Sequence, residues 1–170
     1  MSGLEEWLPP PVRRRNRNRL IAYGLPLRYS VQSMTHLQFT CIPGCIRCCD
    51  QKGWVWLTES DLKAAADFTG MSLQDFEAKY VYRTAHRIRL RKPRASQCHF
   101  LTAEGCSIHP AKPTQCQLFP FWPELVEDRK EWQQTARYCP GIGQGPLIQI
   151  GTAVELANQM RTAYPEQYKP

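Results

Sequence analysis

Eight cysteines are distributed over 170 residues, and four of them fall within nine positions, Cys41-Ile42-Pro43-Gly44-Cys45-Ile46-Arg47-Cys48-Cys49. A single domain of this length buries roughly 70% of its unfolded surface, so it needs neither disulfides nor metal merely to be stable. The thiols therefore have another use, and the compartment decides which. The N-terminus, Met1-Ser2-Gly3-Leu4-Glu5-Glu6-Trp7-Leu8, has no basic region leading into an apolar stretch and a small-residue cleavage site, so export by a signal peptide is not expected. The expected location is the reducing cytoplasm, where clustered cysteines serve as metal ligands or redox groups. The competing reading is a secreted, disulfide-stapled domain, for which eight cysteines allow on the order of 100 pairings.

Local chemistry favours metal. Pro43-Gly44 supplies a tight turn that lets successive thiolates converge on one ion while backbone N–H groups point at the sulfurs. Cys48 and Cys49 are adjacent, and in an extended stretch they would face opposite sides. Without a local kink they cannot share one mononuclear ion. A second group spreads over Cys98, Cys106 and Cys116. Residues 98–101 and 106–109 read as short strands around a Thr102-Ala103-Glu104-Gly105 hairpin loop. In a regular hairpin Cys98 lies roughly 10–13 Å along its strand from the point opposite Cys106, too far for one zinc with bonds of about 2.3 Å. Either the two serve different centres or the segment bends. Pro113 is suited to open a helical turn presenting Cys116, and Cys139-Pro140-Gly141 sets the last thiol before a turn.

An all-thiolate donor set selects zinc or an iron–sulfur cluster and excludes hard cations. Eight thiols suffice for two four-thiolate sites, or for one with the remainder structural. Cys139-Pro140 echoes the cysteine–proline ending of bacterial cluster motifs, which tilts the expectation toward iron–sulfur. His99 and His109 are able to replace a thiolate but read more simply as packed, hydrogen-bonded side chains, and His36 and His86 stand outside the cysteine blocks. Phe119, Phe121 and Trp122, with Trp54 and Trp56, are candidates for an apolar lid over the site, or for ordinary core.

The rest of the chain frames these loops. Residues 1–35 form a Pro/Arg-rich arm with five arginines in seven positions, Arg13 to Arg19, within a formal net charge of +7. Such a run can hold nucleic-acid phosphates or act as a solvated or partner-docking tail. Arg87-Ile88-Arg89-Leu90-Arg91 alternates so that Ile88 and Leu90 face a core and the arginines face water, as in a half-buried strand. Thr58-x-x-Asp61 with Gly70, and Ser72-x-x-Asp75, bound helices over about 59–69 and 73–82, the second carrying Leu73, Phe76 and Tyr80 on one face. Thr152-x-x-Glu155 opens a third helix whose Ala153, Leu156, Ala157, Met160 and Tyr164 keep helical spacing until Pro165. With strands near 36–40, 53–57, 86–91 and 98–109, the expected fold is a small α+β domain with three helices and metal-binding cysteine loops. The expected division is the arm at 1–35, the cysteine-cluster domain at 36–145, and a C-terminal helix at 146–170 packed upon it. No run approaches the roughly 18 apolar residues of a membrane span.

Cys41-x3-Cys45-x2-Cys48-Cys49, then Cys98-x-Phe100-Leu101 leading to Cys106-x-Ile108-His109, then Lys112-Pro113-x-x-Cys116-x-x-Phe119-Pro120, and finally Cys139-Pro140-Gly141 resemble the YkgJ-type cysteine-cluster family. The four blocks appear in order over residues 41 to about 142. The first gap is three residues where the family usually has two, and His109 and Lys112 stand where Tyr and Arg are frequent. The resemblance implies chelation of zinc or iron, with iron–sulfur cluster as a common alternative label. Flagellin lysine N-methylases look related.

Three functions follow as expectations. The first is a protein that holds a metal centre. The second is a metal-dependent enzyme related to protein lysine N-methylases, using an open coordination position or a free thiolate among Cys48, Cys49 and Cys139. The third is a zinc-stabilised module displaying its arginines to nucleic acid. The sequence has no P-loop, dinucleotide fingerprint, G-x-S-x-G or H-E-x-x-H motif, so an enzyme reading rests on the metal alone.

Overall fold

The computed structural model describes residues 35–51, 53–91 and 97–169; the Arg13–Arg19 run lies outside them. The capping signals do what their chemistry predicts. Thr58 accepts from the Asp61 N–H while the Asp61 carboxylate accepts from the Thr58 N–H, and α1 runs over Glu59–Phe68. Gly70 ends it at φ 66°, with the Gly70 and Met71 N–H groups returning to the Asp67 and Ala66 carbonyls. Ser72 caps α2, Leu73–Tyr80. This helix buries Phe76 against Tyr80 and Phe100, whereas Leu73, in its first turn, is exposed. The apolar face is thus shorter than its spacing suggests.

The architecture is mixed helix and short antiparallel strand, with three two-stranded sheets among the described residues. β1 (His36–Phe39) pairs with β6 (Ile142–Gln149), β2 (Val81–Arg83) with β3 (Ile88–Leu90), and β4 (Leu101–Thr102) with β5 (Gly105–Cys106). The stretch expected as a strand over 53–57 contributes a single bridge, Trp56 to Arg89. Three short helices add to the three expected: α3 (Thr114–Leu118), α4 (Pro123–Val126) and α5 (Arg129–Thr135). Asp128 caps α5 with Glu131 three residues on, a signal present in the sequence. α6 spans Ile150–Ala163 and begins two residues before Thr152, because β6 runs directly into it and Gln149 occupies the cap position. The period of α6 buries Ala153, Ala157, Met160 and Tyr164.

Three apolar clusters result. One gathers Leu62, Phe76, Leu90, Phe100 and Ile108. A second gathers Leu37, Phe121, Val126, Trp132 and Ala157. A smaller third, of Leu118, Met160 and Tyr164, sits where α3 meets α6. A polar network ties the same elements together. Buried Asp61 accepts from the Thr114 N–H at 2.9 Å, the Thr114 hydroxyl at 2.7 Å and the Tyr164 hydroxyl at 3.0 Å. Tyr164 in turn accepts from the Gln115 N–H at 3.0 Å. The Gln115 side chain accepts from Trp56 N–H at 2.6 Å and donates to the Trp54 carbonyl at 3.1 Å. Every buried side-chain polar atom among the described residues is satisfied, as a low-dielectric interior requires.

Candidate metal centre

All eight cysteines line one cleft of about 550 Å³. Each is a free thiol. Ile42-Pro43-Gly44-Cys45 closes through Cys45 N–H to Ile42 O at 3.1 Å, with Gly44 at φ 74° as the turn requires. The Cys48-Cys49 pair is not extended. Cys49 and Asp50 N–H groups both donate to Ile46 O, at 3.0 and 3.2 Å, supplying the kink that lets both thiols reach the cleft.

The hairpin question is also resolved by a bend. β4 and β5 pair only Leu101 with Cys106 and Thr102 with Gly105. Before them, Leu101 N–H donates to Cys98 O at 3.1 Å, so Cys98 turns back into the cleft instead of continuing down a strand. Cys116 lies on α3, whose cap position is Pro113. Cys139 is buried, and Ile142 N–H returns to its carbonyl at 3.2 Å.

Aromatic side chains expected to cover the site divide. Phe119 lines the cleft with Phe39 and Phe100. Phe121 and Trp122 pack in the second cluster instead. Trp54 and Trp56 face β3, where the Arg89 guanidinium lies 3.6 Å from the Trp54 ring centroid and 4.5 Å from that of Tyr82, and Arg87 stands over Trp56. Arg89 is thus half-buried and stacked rather than facing water. His109 borders the cleft, with its Nε2 3.4 Å from Lys112 Nζ. His99 packs edge-on against Tyr80.

The thiols act on one another. Hydrogen bonding from Cys49 draws Cys48 down to about 6, helped by the nearby Lys112 ammonium. The same bonding from Cys49, again with Lys112, draws Cys106 to about 6. The proton they share stays on Cys49, whose thiol is pushed up by those two partners. Burial pushes up Cys98, Cys116 and Cys139. Among the described residues no three His, Cys, Asp or Glu side chains stand at metal-holding geometry. The sulfurs ring the cleft without closing on one point. Their chemistry nonetheless fits a soft metal, which binds the thiolate form.

Residues that the sequence does not mark as part of the site position it. Asp61, Thr114, Gln115 and Tyr164 fix α3 and therefore Cys116. Gly141 fixes the Cys139 loop against the Cys41 strand: a Cβ there would lie 2.1 Å from Thr40 O and 2.9 Å from the Phe39 ring. Gly141→Ala is expected to cost about 3 kcal/mol through overpacking, measured by urea unfolding, and to lower the metal content of the isolated protein. An unchanged midpoint would show that the loop can move aside.

Residues 40–140 match the CxxCxxCC family, described as "Putative zinc- or iron-chelating domain". No solved structure matches the chain, and no helix among the described residues is long and apolar enough to cross a membrane. The match covers more than half of the chain, and all eight cysteines that line the cleft fall within it, so the protein belongs to the CxxCxxCC family.

Proposed function

We propose that this protein binds a soft metal centre, an iron–sulfur cluster in preference to zinc, on thiolates drawn from Cys41, Cys45, Cys48, Cys49, Cys98, Cys106, Cys116 and Cys139. The observation that carries the reading is the convergence of all eight on one cleft from segments far apart in sequence. The apolar walls, Phe39, Leu90, Phe100 and Phe119, limit solvent at the sulfurs, which tunes potential in a cluster and dryness in a zinc site. Lys112 offsets the negative charge that several thiolates accumulate. When bound, a cluster would supply one-electron redox chemistry, and zinc a structural cross-link or a Lewis acid. On this reading residues 36–145 carry the centre, 146–170 brace α3 from behind, and the protein works in a reducing compartment.

The arginine face supports a nucleic-acid role poorly, since Arg89 is stacked between two rings and Arg91 Nε donates to Val81 O at 2.6 Å. The test is metal analysis of protein isolated without oxygen. Brown protein with visible absorption and matched iron and sulfide is the expected result. Colourless protein containing zinc would overturn the preference for iron, and protein without either metal would overturn the proposal.

A further inference from the structure

Aromatic and arginine side chains share the face of β3 that turns away from the first cluster. Residues 55–57 flank β3 on the side opposite β2, with Leu57 N–H donating to Ile88 O and Leu90 N–H to Val55 O, each at 2.9 Å. Alternation then sends neighbouring side chains two ways. Val55, Leu57, Ile88 and Leu90 pack into the first cluster, and Val81 joins them from β2. Tyr82, Arg89 and Trp56, which stand opposite one another across the three segments, face away from it.

On this face each arginine lies against rings. The Arg89 guanidinium stacks 3.6 Å from the Trp54 centroid and 4.5 Å from that of Tyr82. Arg87 stands 5.5 Å from the ring centroid of Trp56, which itself rests on the third cluster. Stacking holds a guanidinium by its face and leaves its edge, where the N–H donors lie, for a ligand. Lys63, Arg83, Arg161 and Lys169 are bonded to carboxylates. Among the described residues Arg87 and Arg89 are not, and Glu166, the acid toward Arg87, is bonded to Lys169. No buried side-chain polar atom of the described residues lacks a partner, so the unbonded edge of half-buried Arg89 reaches solvent.

Such an edge suits a carboxylate, held by two parallel N–H···O bonds. Arg87 and Arg89 are two residues apart, about 6.6 Å along an extended chain at 3.3 Å per residue. A second extended chain with acidic side chains at alternate positions repeats at the same interval. Nucleic acid fits less well, because bases need aromatic faces on which to stack and here the guanidiniums lie on them.

We infer that this face docks a partner protein through an extended acidic segment, whose alternate carboxylates are held by Arg87 and Arg89. Leu90, on the opposite side of β3 from Arg89, lines the cysteine cleft, so the docked segment lies one strand away from the thiols. Gln115, bonded to Trp54 O and Trp56 N–H, ties this face to the residue before Cys116. The inference does not depend on which metal the cleft holds.

The test is fluorescence anisotropy of a short labelled peptide of alternating serine and glutamate, titrated with the full chain at about 0.15 M salt. The same peptide with glutamine in place of glutamate, and an oligothymidylate of equal charge, serve as comparators. The glutamate peptide binds and the glutamine peptide does not. Arg87→Ala and Arg89→Lys each weaken binding about tenfold, although the lysine keeps the charge and loses only the fork. Arg129→Ala, which removes an exposed cation at the start of α5, leaves affinity unchanged. Circular dichroism checks that each variant is folded, and Arg87, exposed just before β3, supports no core whose loss would confuse the result. Affinity unchanged in both Arg87→Ala and Arg89→Lys, or equally weakened in Arg129→Ala, would assign the peptide to the general charge of +7 and overturn the inference. Tighter binding of the oligothymidylate, lost in the same two variants, would identify nucleic acid as the ligand and overturn it too, as would a glutamate peptide that does not bind.

Discussion

Replacing Asp61 by alanine is expected to lower the thermal midpoint by about 8–16 °C. The carboxylate is buried and accepts from the Thr58 N–H, the Thr114 N–H and hydroxyl, and the Tyr164 hydroxyl. Truncation leaves these donors unpaired in a low-dielectric interior, a loss of about 4 kcal/mol. At this chain length 1 kcal/mol moves the midpoint by roughly 2–4 °C. The damage also reaches the cleft, because Thr114 and Gln115 precede Cys116 on α3. Metal content should therefore fall with the midpoint. Tyr164→Phe removes only the hydroxyl that joins Asp61 to the Gln115 N–H, and its expected cost is smaller, about 1–2 kcal/mol. Thermal unfolding followed by circular dichroism, with metal analysis of the same samples, measures both. Equal effects from the two substitutions would refute Asp61 as the hub of the network.

Stripping the metal under reducing conditions is expected to lower the midpoint by about 10–20 °C, because ligand-binding free energy is folding free energy when a site is assembled from distant segments. The stripped protein should keep the capped helices α1 and α2, whose Leu62 and Phe76 are fully buried in the first cluster, and should lose order first around β1 and β6. Acid acts in the same direction. A metal binds the ionised sulfur and displaces the proton, so affinity falls as pH falls. Cys98 and Cys116 hold their protons at neutral pH because burial pushes their thiols up, so proton release on metal uptake is expected already at pH 7. Cys48 and Cys106, at about 6, are largely ionised there. They add to the release only on acidification, and the dependence of affinity on pH steepens below about 6. Calorimetric titration in buffers of different ionisation enthalpy reads the number of protons directly; a count independent of pH would contradict this order of ionisation.

Local chemistry was legible where a few neighbouring residues decide it. The capping pairs at Thr58 and Ser72, the Gly70 helix end and the Pro43-Gly44 turn each follow from side-chain donors, acceptors or φ preferences within one turn. The gathering of cysteines was legible as chemistry, since eight thiols, four of them within nine positions, have few uses other than metal or disulfide. Spacing arguments reached their limit wherever the backbone bends. Regular-strand geometry kept Cys98 and Cys106 apart, and only the return of Leu101 N–H to Cys98 O brings them to one cleft. β6 was hidden because Gly143, Gly145 and Pro146 erase its alternation; what makes it a strand is its partner β1, over a hundred residues earlier. Asp61 was visible as a capping residue, but its bonds to Thr114 and Tyr164 belong to tertiary structure and leave no local trace.

The pairing of β1 with β6 closes nearly the whole described chain into a loop, His36 lying opposite Gln149. Contacts so distant in sequence form late, after the entropy of closing the long intervening segment has been overcome. Every cysteine leaves the ribosome before β6 does, so a nascent chain exposes Cys41 and its neighbours while the strand that will hold them is still being synthesised. The helices around Phe76 are complete much earlier. Biogenesis is therefore ordered by topology: the Cys98–Cys106 hairpin on that core can settle during translation, whereas the Cys41 and Cys139 wall, and Cys116 on the α3 that Tyr164 braces, wait for the C-terminal residues to emerge.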